Sequence, residues 1–278
     1  MNIQELQKWI GRTDEREDVV TAAPLELFAG TLDFPSDASL TEVRPLWHWL
    51  YFLPSARLSE VGPDGHPKRG GFLPPVPLPR RMWAASRMQF NHPLKPGDRI
   101  RRQSVIADVA CKEGKSGPLV FVEIKHTIAN PQGVAIVEDQ TVVYRDVTPA
   151  SSVPAPGKPV PYQAQFSRKV LPDPVLLFRY SALTFNSHRI HYDHPYVVNE
   201  EGYPDLVVHG PLCATLLVEE VQRQYPGCRI ASFEFKALSP LFANAEFGIG
   251  GCREGNTVHV WTETPDGFVG MLAKAELA

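Results

Sequence analysis

The chain has 278 residues, with 28 lysines and arginines against 31 aspartates and glutamates, for a formal net charge of -3. That balance gives no electrostatic reason to expect nucleic acid as a partner, and a hydrophobic fraction of 43% suits an ordinary globular protein long enough for two cores. The four cysteines (Cys111, Cys213, Cys228, Cys252) form no C-x-x-C pair, which argues against a disulfide scaffold or zinc finger and for a reducing compartment.

The first residues, MNIQELQKWIGRTDEREDVV, carry acids where a signal or transit peptide is basic. No apolar run approaches the ~20 residues that span a bilayer, so a cytoplasmic protein without a membrane partner is expected. The 27 prolines imply many short connections and favour a mixed, strand-rich fold. In the first half, Leu40 to Leu53 (LTEVRPLWHWLYFL) is the best candidate for a central helix, and a long proline-rich insert, Gly62 to Pro79, follows it.

Further along, the order of landmarks repeats. Pro93-Leu94, Cys111-Lys-Glu-Gly114 and Asn130-Pro-Gln-Gly133 are answered by Pro240-Leu241, Cys252-Arg-Glu-Gly255 and Thr264-Pro-Asp-Gly267. Runs that alternate in the strand manner, such as Leu119–Ile124 and Val258–Thr262, lie between turn-forming groups, so each half is expected to end in an antiparallel meander. Between the halves, TPASSVPAPGKPVP holds five prolines and no apolar periodicity, an extended connector. The expected organisation is 1–148, a linker at 149–161, and 162–278.

The second half opens with Asp173-Pro174, a good N-cap and first-turn pair, before apolar positions at helical spacing from Leu176 to Leu183. A short helix there leads into Phe185-Asn-Ser-His-Arg-Ile-His-Tyr-Asp-His-Pro195, with three histidines in seven residues. His188, His191 and His194 with Asp193 have ligand chemistry, but Pro195 interrupts any regular face and no H-E-x-x-H pattern is present. Neither a metal nor another cofactor is expected. Beyond it, Pro211 to Tyr225 begins apolar or small on every side, as a helix enclosed by its own protein does; Pro211 suits its first turn and Pro226-Gly227 stops it. A sheet wrapped on one buried helix is the hotdog arrangement. Two copies in one α+β chain make a double hotdog, an internal pseudo-dimer; a homodimer of such chains is a further candidate assembly. The less orderly first half is expected to keep a packing or substrate-binding role without catalysis.

The stretch Thr184-Phe-Asn-Ser-His-Arg-Ile-His-Tyr-Asp193 resembles the motif of the MaoC-like or R-specific hydratases, roughly Ser-Gly-Asp-x-Asn-Pro-hydrophobic-His-x-Asp. In that register the family's catalytic His falls on His191 and its catalytic Asp on Asn186. The chain is similar in more detail to the branch of hydroxyacyl-thioester dehydratase type 2 and the mesaconyl-C4-CoA and itaconyl-CoA hydratases. It shares Phe178-Arg-Tyr-Ser-Ala-Leu-Thr184, Val208-His-Gly-Pro-Leu212 and Leu78-Pro-Arg-Arg-Met-Trp83 with that branch. The resemblance implies a hydro-lyase that adds water to, or removes it from, a CoA thioester, with a citramalyl-CoA-type product. Alternatives are a dehydratase of fatty-acid synthesis, a thioesterase on the same fold and a non-catalytic acyl-CoA-binding protein.

Such hydration needs a base for water, an acid for Cα and donors for the thioester oxygen. His191 titrates nearest neutrality and is the expected proton-transfer group. The resemblance makes the Gly210 amide the oxyanion donor, at a helix start where an N–H lacks a partner. A neutral amide cannot exchange a proton usefully, so Asn186 is expected to position rather than catalyse. Arg189, in the family's Pro position, is a candidate either for a substrate carboxylate or for pairing with Asp193 or a CoA phosphate, with Arg179 a weaker carboxylate candidate. His188, Asp193 and His209 complete the expected substrate-binding set. The Arg80-Arg81 pair fits phosphate contact or a solvated surface equally.

Overall fold

The computed structural model describes residues 1–35, 39–114, 117–146 and 157–278. Its helices are α1 (Ile3–Gln7), α2 (Ala22–Thr31), α3 (Pro174–Leu183), α4 (His194–Asn199) and α5 (Gly210–Gln224). Its strands are β1 (Thr13–Val19), β2 (Arg80–Phe90), β3 (Arg99–Gly114), β4 (Gly117–Asn130) and β5 (Gly133–Arg145). They continue with β6 (Phe166–Val170), β7 (Ile230–Ala237), β8 (Phe247–Glu254), β9 (Thr257–Glu263) and β10 (Val269–Leu277). All ten form one sheet in the order β1-β3-β4-β5-β2-β7-β10-β9-β8-β6.

That order is a palindrome about β2 and β7. Strands β3, β4 and β5 form one meander, and β8, β9 and β10 the other. Their hairpins turn where glycine supplies the needed backbone: Gly133 (φ 118) opens β5, and Gly267 N–H donates to the Thr264 carbonyl (2.9 Å) before β10. The turn between β3 and β4 at 115–116 lies outside the described residues, as does 149–156, most of the expected linker at 149–161. The antiparallel pairing of β2 with β7, from Ala85 opposite Lys236 to Gln89 opposite Ser232, makes the two meanders one sheet.

Helix α5 lies against β7, β8, β9 and β10, and every residue from Leu212 to Val221 is buried. Even Glu219 and Glu220 are inside, each answered by a cation: Arg44 reaches Glu219 at 2.6 Å, and Arg168 reaches Glu220 at 2.8 Å. The Trp47 indole N–H donates to Glu219 as well (2.8 Å). Pairing of this kind is what allows a carboxylate to sit in a core.

The first half departs from the expected central helix. Between Leu40 and Leu53 only Trp47–Leu50 is helical, a single 3-10 turn. Pro45 brings no N–H, and Leu46 (φ 71) and Phe52 (φ 55) adopt left-handed backbone that no α-helix admits. The segment packs as an aromatic plug instead. Leu46, Trp47, Leu50, Tyr51 and Phe52 share one apolar core with α5 and with Met88, Ile100 and Ile136 of the first-half strands.

Candidate active site

Helix α3 begins as its sequence predicts, with the Asp173 carboxylate accepting the Leu176 N–H (2.7 Å) and Pro174 at its first position. It ends at Leu183, and Phe185 turns left-handed (φ 48). The Asn186 side-chain oxygen then accepts the His188 N–H (3.0 Å), a local turn that sends the chain inward. A 3-10 turn over Arg189–His191 follows, and Asp193 caps α4 by accepting the Tyr196 N–H (3.2 Å).

This path buries His191, which is only 7% exposed. Its Nδ1 lies 2.7 Å from the Val207 carbonyl oxygen. A carbonyl can only accept, so this hydrogen bond assigns the proton to Nδ1 and leaves a lone pair on Nε2. The His209 ring stacks on His191 at 3.6 Å and 18°, and His209 Nε2 lies 2.8 Å from Ser181 Oγ. His209 precedes Gly210, the first residue of α5, whose N–H has no intrahelical acceptor. The His191 imidazole is therefore one stacked ring away from the start of α5.

The first half contributes the rest. Within the proline-rich insert, the Asp64 carbonyl accepts the Arg189 N–H (2.9 Å), and the Gly65 carbonyl accepts from Ser187 Oγ. Gly65 has φ 89, and a Cβ there would come 1.8 Å from the Ser187 carbonyl oxygen; only glycine allows this approach. Next to it, His66 donates its backbone N–H and directs its ring Nδ1 to the Asp64 carboxylate (3.0 and 3.2 Å). The His66 ring lies 4.0 Å from that of His188, which meets His191 edge-on at 5.4 Å. The four imidazoles form a continuous row from Asp64 to Ser181.

Burial keeps the row neutral. Burial pushes His191 down to about 4, with the Val207 hydrogen bond opposing and His66 adding to the shift. Burial and then the charges of His66 and His191 lower His188 to about 2. Burial, followed by His191 and His188, holds His209 well below the ordinary range. For His66 burial again leads, and the Asp64 hydrogen bond opposes it. At Asp64 burial would raise the carboxyl, but hydrogen bonds and charge from His66 outweigh it and keep it ionised. Asp64, His66 and His188 each present a ligand-type atom within 4.8 Å of the others. Both Asp64 oxygens, however, already accept from His66.

A cavity of about 570 Å³ opens beside His66 and Asp64, bordered by Lys68, Arg69, Arg80 and Arg81. His191 stands behind His188, the second ring along the row from His66. Trp83 of β2 packs against Trp49 (4.9 Å) and Phe235 (6.3 Å), and its carbonyl oxygen lies 3.8 Å from the place of a Gly210 Cβ.

The remaining expected residues fall as follows. Arg189 is bound to Asp193 (2.8 Å), donates to the Pro63 carbonyl and lies over the Tyr196 ring at 4.0 Å, so it clamps the loop to the insert. Arg179, on exposed α3, donates to the Gly30 carbonyl (3.4 Å) and does not border the cavity. His194 faces Asp205 at 3.6 Å. Asp64 and His66 escaped sequence reading because the insert shows no periodicity; the cue was a His in Gly62-Pro-Asp-Gly-His-Pro67, a polar island within a proline-rich run.

The fold is a double hotdog. A MaoC-like dehydratase from Phytophthora capsici superposes with a TM-score of 0.75 at 15% identity, covering 100% of this chain and 98% of that one. A Mycobacterium tuberculosis protein described as a double hotdog fold gives 0.55 at 12% identity, over 97% and 96% of the two chains. Residues 46–243 match the hydroxyacyl-thioester dehydratase type 2 family, to which this chain belongs. Mesaconyl-C(4)-CoA hydratase of Chloroflexus aurantiacus is 46% identical over 282 aligned positions, covering 100% of this chain and 99% of the relative.

Proposed function

We propose that this enzyme adds water across the C=C bond of an α,β-unsaturated CoA thioester, with mesaconyl-C4-CoA or itaconyl-CoA as substrate and a citramalyl-CoA-type product. The observation that carries the chemistry is His191: buried, fixed through Nδ1 on Val207, with its Nε2 lone pair beside the start of α5. The 46% identity to a mesaconyl-C(4)-CoA hydratase over the whole chain supports the substrate class.

In the hydration direction, the water oxygen bonds to Cβ while its proton passes to His191 Nε2. The C=C electron pair moves onto the thioester oxygen, where the Gly210 N–H and the positive end of α5 hold the enolate charge. The new imidazolium then gives the same proton to Cα, and His191 returns to its neutral form. The depressed pKa of His191 suits the second half of this cycle, because an imidazolium that is costly to hold is a strong acid. Asn186 has its oxygen engaged with His188, which leaves the amide NH2 to hold the water oxygen. Protons and electrons balance within substrate, water and one imidazole, so the cycle draws on no cofactor. His188, His209 and the first half, 1–148, frame the substrate; a second copy of the chain remains the candidate protein partner.

The family match favours one other reading, dehydration of 3-hydroxyacyl thioesters of longer chain. A panel of CoA thioesters separates the two: mesaconyl-C4-CoA, itaconyl-CoA, crotonyl-CoA and longer enoyl-CoAs, each followed by loss of enoyl-thioester absorbance. Preference for the dicarboxyl substrates is the expected result. Preference for long chains selects the alternative, release of free thiol indicates a thioesterase, and no loss of absorbance with any substrate defeats the hydratase reading.

A further inference from the structure

Four cations border the cavity beside His66, and three of them are already answered by the protein. Lys68 donates to the Ser59 carbonyl (2.8 Å). Arg69 donates to the carbonyls of Val76 (2.8 Å) and Pro79. Arg80 is bound to the Glu201 carboxylate (3.1 Å) and to its carbonyl (2.6 Å). Arg81 differs: among the described residues it has no carboxylate or carbonyl partner, although it is half-buried. Its neighbour across the ladder is Tyr144, a phenol that burial raises and Arg81 partly restores. A guanidinium withdrawn from water without an anion is costly, and its planar fork fits a carboxylate or phosphate.

Position then narrows the anion. Arg81 and Trp83 alternate with exposed Met82, so both point to the same face of β2, about 7 Å apart along the strand. The Trp83 carbonyl lies next to Gly210, and the charge of Arg81 is felt by both His66 and His188. The Arg81 guanidinium thus borders the same cavity as the His66 end of the imidazole row, and its strand reaches the start of α5 two residues further on.

We propose that Arg81 is a specificity-determining residue that holds the second carboxylate of a short dicarboxyl acyl-CoA. This rests on the CoA-thioester reading above. A phosphate of CoA offers the same oxyanion chemistry, but every acyl-CoA carries it, whereas the second carboxylate belongs only to some.

The test compares Arg81→Gln with the unaltered enzyme on mesaconyl-C4-CoA and on crotonyl-CoA, which lacks the second carboxylate. The expected result is a loss of about 100-fold in kcat/KM on the dicarboxyl substrate, mostly in KM, with crotonyl-CoA changed less than about threefold. Arg81→Lys, which keeps charge without the fork, is expected to recover part of the loss. Equal losses on both substrates would assign Arg81 to a CoA phosphate, and no loss on either would remove it from the site; both outcomes overturn the proposal. Calorimetric binding of succinyl-CoA against butyryl-CoA repeats the comparison without turnover. There the unaltered enzyme should prefer succinyl-CoA and the Arg81→Gln variant should not. An enzyme that hydrates nothing yet shows that preference loses the hydratase reading and keeps Arg81; one that hydrates crotonyl-CoA without the preference does the reverse.

Discussion

The second half of the sheet carries a 15-residue helix whose first amide and preceding histidine stand at the site, while the first half carries a plug of aromatic side chains with one 3-10 turn. Both fill the interior, and the helix starts with an N–H that has no intrahelical acceptor. In place of that device the first half has a buried polar cluster. Glu138 accepts from Ser86 (2.8 Å) and Trp49 (3.2 Å) and faces His48 (3.5 Å). Hydrogen bonds and charge from His48, His126 and Ser86 outweigh burial and bring its carboxyl down to about 2. The second half places the start of a helix beside the histidine row, while the first half fills its interior with this paired cluster and sends a loop, Asp64–His66, across to its neighbour.

Replacing His191 with Ala should break that asymmetry most severely, with turnover lower by about 10³-fold or more, while circular dichroism shows the fold retained. Asn186→Ala, measured alongside, should lose only about tenfold, as a residue that holds water without exchanging its proton. Comparable losses in the two variants would undo the assignment of roles. Gly65→Ala tests the crossing loop. The added methyl meets backbone at 1.8 Å in a left-handed position, so the insert must withdraw from Ser187. Turnover about 100-fold lower, with far-UV circular dichroism unchanged, is the expected outcome.

Glu138→Gln should separate the halves in the opposite sense. Turning one acceptor into a donor inside the cluster should cost about 2–3 kcal/mol by denaturant midpoint, yet leave kcat within about threefold. A large loss of kcat would give the first half a chemical role.

The smallest expected effect is in pH dependence. His191 must be neutral to accept a proton, and its pKa is pushed down to about 4, so kcat/KM should stay flat from pH 8 to about 5.5 and fall only as pH drops toward 4. Stability follows the same sign. Unfolded histidines bind protons below about 6.5, but buried His191 and His209 resist doing so. Each therefore removes up to about 1.4 kcal/mol per pH unit as pH falls below that value. Thermal melts between pH 7 and 5 would show it.

Local chemistry determined much of this protein before any coordinates. The Asp173-Pro174 start of α3, the all-round apolar run of α5 and the glycine turns of the paired meanders are each written within a few neighbouring residues, because caps, periodicity and turn conformations are short-range. The segment that holds His191 was visible for the same reason, a polar stretch between two such helices. The stretch from Leu40 to Leu53 misled because its apolar side chains have helical density, whereas Pro45 and two left-handed residues deny it helical backbone. What only tertiary structure decided is the company of His191. Asp64, His66 and Arg81 lie more than 100 residues away along the chain, in segments without periodicity, and reach the site through the packing of Gly65 on Ser187 and the joining of β2 to β7. Of the roles open to Arg189 in the sequence, the same packing shows the pair with Asp193, which clamps the loop.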